Sequence, residues 1–178
     1  MDSLHIRKVL SGDHEAFRYF IKKYSKMAFA IAISIVKDQQ AAEECVQDGF
    51  LKAYKALSMF KQDSKFSSWL YTIIKNEALY YLKKHKRCPI EYVASVDDQI
   101  ADESHLLSLD KQQQSRLVQM AMQQLPSQEN LMLRLFYIEQ YSIRQISDTT
   151  GKKESNIKVL LHRGRKHMLS IINQLLNQ

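Results

Sequence analysis

Between Ala41 and Arg87, apolar side chains return at the helical period through two long runs, parted by a short polar elbow. Ala42, Cys45, Val46, Gly49, Ala53, Tyr54 and Leu57 form the first stripe, which Phe50 extends. Trp69, Leu70, Ile73, Ile74, Glu77, Ala78, Tyr81 and Leu82 form the second. The whole chain of 178 residues holds just four Gly and two Pro, so it has few places to turn sharply. Ordinary usage is roughly 7% Gly and 5% Pro. The expectation is an all-α fold of long helices.

The opposite faces of these two helices differ in charge. Glu43, Glu44, Gln47 and Asp48 make an acidic and amide face on the first. On the second, Lys75, Asn76, Leu79, Tyr80 and Lys83 face away from the stripe, and the run closes on Lys83, Lys84, His85, Lys86 and Arg87. In the elbow, Phe60 and Phe66 flank Lys61, Gln62, Asp63, Ser64 and Lys65. Rings interleaved with cations suit unstacked bases, at roughly 1–3 kcal/mol per stacked base. The same rings, with Trp69, can equally close the bundle, and Trp69 reads as core.

This segment resembles region 2 of the bacterial sigma-70 family, in its short extracytoplasmic-function (ECF) type. The family's acidic string followed by aromatic positions is matched by Glu43, Glu44, Gln47, Asp48 and Phe50, then Phe60, Phe66, Trp69, Leu70 and Tyr71. The resemblance implies that Glu43, Glu44, Gln47, Asp48 and Phe50 dock on core RNA polymerase. It also implies that Phe60, Lys61, Asp63, Ser64, Lys65, Lys75, Asn76 and Lys83 contact the −10 promoter element.

Upstream, Ser3–Leu10 reads as a short helix broken by Ser11-Gly12-Asp13, with Asp13 capping a helix that runs to Val36. Phe17, Phe20, Ile21, Tyr24, Ala28, Ile31, Ala32 and Ile35 should face inward; Met27–Val36 is apolar nearly all round, as in a helix buried between neighbours. Asp38 should cap the acidic helix. Cys88-Pro89 stops the second long helix. From Ile90 to Asp110 there is no Lys or Arg but six acids: Glu91, Asp97, Asp98, Asp102, Glu103 and Asp110. Such a linker is either a solvated spacer or an occupant of a basic channel, and the resemblance favours the second.

Periodicity resumes near Leu109 with Leu117, Met120, Ala121 and Leu125, then restarts at Pro126, with Ser127 as the expected cap of a helix to Ile138. Glu139-Gln140-Tyr141 is a turn. Ser142 and Gln145 form a capping box, Gly151 ends that helix, and a longer basic helix follows to Leu176. It should bury Ile157, Leu160, Leu161, Met168, Ile171, Ile172 and Leu175. These are the proportions of a helix-turn-helix, with Lys153, Ser155, Asn156, Lys158 and His162 left toward a groove.

Tyr141–Ser147, Gly151, Ile157, Lys158, His162, Arg163, Gly164 and Arg165 are similar to region 4 of the same family. That likeness assigns −35 promoter contacts to Lys153, Ser155, Asn156, Lys158, His162, Arg163 and Arg165. Lys153 stands where a capping Ser is common, Val159-Leu160 replaces a more polar pair, and Gly164 replaces Ala. A Gly inside a helix weakens it by roughly 1 kcal/mol relative to Ala.

Net charge is +7, in keeping with a polyanionic partner. Cys45 and Cys88 are not spaced to bind metal, and the six His are scattered. No phosphate-binding Gly loop or nucleophile motif is visible, so neither enzyme activity, cofactor nor metal is expected. No charged-then-apolar leader opens the sequence, and Met27–Val36 is about half a membrane span, so a cytoplasmic location without membrane insertion is expected. The expected division is 1–88, 89–108 and 109–178: sigma region 2, acidic linker and region 4. The implied partners are core RNA polymerase and promoter DNA, with an anti-sigma factor as a further class. The alternative is an autonomous helix-turn-helix regulator.

Overall fold

A computed structural model describes residues 1–85 and 110–177; the expected acidic linker, with Lys86, Arg87 and Cys88, lies outside the described residues. Among these residues, every regular element is helical. The N-terminal half contains α1 (Asp2–Leu10), α2 (Arg18–Val36), α3 (Gln39–Lys55) and α4 (Phe66–Lys84). The C-terminal half contains α5 (Lys111–Gln124), α6 (Ser127–Leu133), α7 (Ile143–Thr150) and α8 (Glu154–Leu176).

Local chemistry sets most of the boundaries. Asp13 accepts a hydrogen bond from the Ala16 amide at 3.2 Å, but the element it caps is a 3₁₀ turn, His14–Phe17, that leads into α2. Asp38 accepts from the Ala41 amide at 2.8 Å and opens α3. Asp110, counted above among the linker acids, forms a reciprocal capping box with Gln113 and opens α5. Ser127 departs from expectation. Pro126 occupies the cap position and Ser127 is already helical, with no capping bond from its side chain. Helix α6 then widens into a π turn, Arg134–Ile138, closed by the Glu139 amide on the Arg134 carbonyl at 2.9 Å.

α2, α3 and α4 pack on one another around Phe20, Ile31, Leu57, Phe66, Leu70 and Ile74. Gly49 lets α3 approach α4: a Cβ there would stand 2.3 Å from Ile74 Cδ1. α1 is tied down by Asp2, which accepts from Tyr19 Oη at 2.9 Å, Lys23 Nζ at 2.6 Å and Tyr24 Oη at 2.5 Å. Burial works to raise the Asp2 carboxyl, but the Lys23, Tyr24 and Tyr19 hydrogen bonds outweigh it and hold the group below its usual range. Ile21, expected inward, is 44% exposed, because it follows Phe20 directly and lies about 100° around the helix from it. Met120 is likewise exposed; α5 buries Ala121 and Met122 instead.

The two halves meet along a seam where α6 packs on α2 and α7 on α4. This explains why Met27–Val36 is apolar nearly all round: the bundle covers one side and α6 the other. Among the described residues, two polar links cross the seam. Lys37 Nζ donates to the Leu125 carbonyl at 2.7 Å, and Lys65 pairs with Asp148 at 2.5 Å.

Candidate nucleic-acid interface

On α3, the helical period that buries Ala42, Cys45 and Gly49 turns Glu43, Glu44, Gln47 and Asp48 outward, and all four are exposed. Glu43 accepts from Gln39 Nε2 at 3.0 Å; among the described residues none of the three carboxylates is in an ion pair. Burial, then the charges of Glu77, Asp48 and Glu44, push the Cys45 thiol up to about 11, which makes it an inert core group. Phe50 corrects the sequence reading. It is 6% exposed, with its ring edge-on to Phe17, so it supports α3 from behind rather than offering a surface.

The elbow becomes a 3₁₀ turn, Leu57–Met59, followed by an irregular loop in which Gln62 takes a left-handed conformation (φ 60). Lys61, Asp63, Ser64 and Lys65 are exposed. Of the two flanking rings, Phe66 is buried against Phe20 and Tyr24, so it cannot stack on a base. Phe60 is half-buried and stacks on Trp69, with ring centroids 4.8 Å apart. The loop borders a pocket of about 780 Å³ shared with α1 and α2, lined by Asp2, Lys23, Tyr24, Phe60, Asp63 and Lys65 among others. Desolvation opposes the Lys23 charge, but its bonds to Asp2, Tyr19 and Tyr24 hold the ammonium above its usual range, so a cation stands permanently at this rim. Lys75, Asn76 and Lys83 on α4 are exposed; Lys75 also lines a second seam pocket beside α6.

In the C-terminal half, Ser142 and Gln145 cap α7 reciprocally, and Gly151 closes it at φ 71. Ile146, Ile157, Leu160 and Leu161 are buried and set the angle between α7 and α8. Lys153 is the cap residue of α8 and makes no side-chain capping bond, leaving the first α8 amides open at an exposed helix end. Ser155, Asn156, Lys158 and His162 are exposed beside it. Arg163 and Arg165 are exposed but partly engaged, Arg163 at 3.9 Å from the buried Glu129 and Arg165 donating to Tyr137 Oη at 3.1 Å. Glu129 also meets His167 at 2.6 Å. Gly164 is buried, where a Cβ would stand 3.3 Å from Glu129 and Leu133, so its lack of a side chain serves the close packing of α8 on α6.

Sequence reasoning missed Asp148, whose carboxylate occupies Lys65 across the seam, because nothing in the local pattern joins positions 83 residues apart.

The family model for Sigma-70 region 2 matches residues 20–88, and that for Sigma-70 region 4 matches residues 115–168. The RNA polymerase sigma-H factor of Pseudomonas aeruginosa is 27% identical over 99% of this chain and 96% of its own. The ECF RNA polymerase sigma factor SigW of Bacillus subtilis is 26% identical over 90% and 91%. Among solved structures, the sigma factor RpoE bound to the anti-sigma factor NepR from Bartonella quintana superposes with a TM-score of 0.59 at 24% identity, covering 88% of this chain and 96% of that one. CnrH in complex with the cytosolic domain of CnrY gives 0.58 at 19%, covering 96% of both, and at these identities both likenesses speak for the fold. With two region models that together span more than half of its length, and relatives that align from end to end, the chain belongs to the sigma-70 family, in its extracytoplasmic-function branch.

Proposed function

We propose that this chain directs core RNA polymerase to particular promoters, acting as a specificity subunit without catalysis of its own. The observation that carries the reading is the coexistence of three surfaces on one chain. These are an unpaired acidic face on α3, a cationic loop beside an aromatic-lined pocket, and an outward polar row on a capped helix-turn-helix. Residues 1–88 and 109–178 are the two working domains, and 89–108 joins them. Glu43, Glu44, Gln47 and Asp48 present the charge for docking on a basic surface of the polymerase.

Lys61, Asp63, Ser64 and Lys65, with Lys75, Asn76 and Lys83, engage the opened −10 strand. Extruding a base costs a few kcal/mol, which an aromatic-walled pocket with a cationic rim offsets. Lys153, Ser155, Asn156, Lys158, His162, Arg163 and Arg165 meet the −35 duplex. There, Asn and Lys have hydrogen-bonding geometry for base edges, and Arg for phosphate. Because Asp148 holds Lys65 and α7 lies on α4, promoter engagement requires the seam to open. A partner that grips the packed form would oppose this, and the solved sigma factor RpoE is bound to the anti-sigma factor NepR. The work is cytoplasmic, where polymerase acts; among the described residues no helix is long and apolar enough to cross a membrane. An autonomous operator-binding regulator would need neither the acidic face nor the loop.

The test is transcription of genomic fragments by purified core polymerase with and without this chain, with start sites mapped. New, sequence-defined starts are expected. An unchanged start map, together with no affinity for core polymerase, would overturn the reading.

A further inference from the structure

Two cations meet across the seam, and neither is in an ion pair among the described residues. Lys37 ends α2 in a left-handed conformation (φ 60), and its Nζ donates to the Leu125 carbonyl at 2.7 Å. Arg134 opens the π turn, and its Nε donates to Asn130 Oδ1 at 2.8 Å. Both acceptors are neutral. The Glu139 carboxylate acts on Arg134 through space alone. Burial, and then the charge of Arg134, pull the Lys37 ammonium down to about 8.

Lys37 and Arg134 line a cavity of about 230 Å³ together with Gln119, Gln123, Asn130 and the apolar Phe29 and Ile33. Among the described residues, no acidic side chain lines it. An ammonium has three N–H donors and a guanidinium five, so most of their donors are left for an occupant. Partly buried like charges without a counter-ion destabilise their surroundings. An oxyanion with several acceptor oxygens would pair with both cations and take further bonds from the amides.

We propose that this cavity is a binding site for a small phosphate-class anion, held between Lys37 and Arg134 across the seam. Lys37 belongs to the N-terminal bundle and Arg134 to the C-terminal half, so the site exists where the halves are packed. An anion bound there favours the packed arrangement by mass action.

The test uses the full chain and inorganic phosphate, against sodium chloride at matched ionic strength. A thermal midpoint raised by roughly 3–6 °C is expected at phosphate ten times its dissociation constant. The rise should be saturable, lost in Lys37→Asn (which tolerates the left-handed backbone) and in Arg134→Gln, and kept in Lys158→Ala on the outward row of α8. No rise, a rise matched by chloride, one that survives both seam variants, or one lost in Lys158→Ala would overturn the proposal. Should a seam variant fail to fold, the side-chain amide signals of Gln123 and Asn130 in the unmodified protein decide. Saturable shifts on phosphate addition support the site, and unmoved signals overturn it.

Discussion

Replacing Gly49 by Ala places a methyl group where α3 crosses α4. The new Cβ would stand 2.3 Å from Ile74 Cδ1, well inside contact, yet 3.4 Å from Cγ1 and 3.7 Å from Cα, which are ordinary separations. Ile74 is fully buried, so its terminal methyl has no solvent to move into. Overpacking of this kind costs about 1–3 kcal/mol, whereas exchanging Gly for Ala inside a helix returns about 1 kcal/mol. Gly49→Ala should therefore destabilise the N-terminal bundle by roughly 0–2 kcal/mol. Ile74→Val deletes the clashing methyl and by itself costs about 0.5–1.5 kcal/mol. In that background Gly49→Ala should become stabilising, so the two substitutions couple by roughly 1–3 kcal/mol. Trp69 is the sole tryptophan and stands in α4, so its fluorescence during urea denaturation follows this bundle. Additivity of the two substitutions within about 0.5 kcal/mol would refute the claim that Gly49 is kept for the helix crossing.

Charge reversal at Glu44 and Asp48 should abolish co-purification with core polymerase and leave far-ultraviolet circular dichroism unchanged, both residues being exposed on α3; retained co-purification would count against the docking face. Changing Lys61 and Lys65 together to Ala should impair promoter opening, read by permanganate footprinting, more than polymerase binding in a pull-down; equal loss of both would reject that division of labour. Lys37 sets a pH dependence. Its folded value is about 8 against 10.5 when free, so the unfolded chain binds more protons between these values and stability rises with pH across that window. The penalty, at most about 3 kcal/mol, is fully present below pH 8. Lys37→Asn should flatten the rise between pH 8 and 10.5 in chemical denaturation, and an unchanged slope would assign it to other groups.

Reading the sequence worked where one residue satisfies its near neighbours. Asp13, Asp38 and the Ser142–Gln145 box each bond an amide three residues on, and Gly151 is a left-handed residue with no side chain to strain. The stripes of α3, α4 and α8 buried the central line of residues that their period indicated (Ala42, Cys45, Leu70, Ile74, Ile157 and Leu161 among them) and left flanking ones such as Ile73 and Met168 partly buried, and the outward faces followed. Periodicity was weaker at the margins of a stripe. Ile21 and Met120 count as apolar in any pattern, yet each lies just off its buried line. Phe50 and Phe66 match the family string, but the pattern does not say that Phe17 and Phe20 close over them.

Sequence by itself determined the helical class, most of the helix caps and the two charged faces, because these depend on hydrogen bonds and spacings within a few residues. Tertiary structure alone decided that Asp148 claims Lys65, that Lys37 and Arg134 share a cavity with no acidic lining among the described residues, and that Gly49 and Gly164 serve close helix crossings. Each of those joins residues from separate helices, and their proximity comes from how whole helices pack, which no local period encodes.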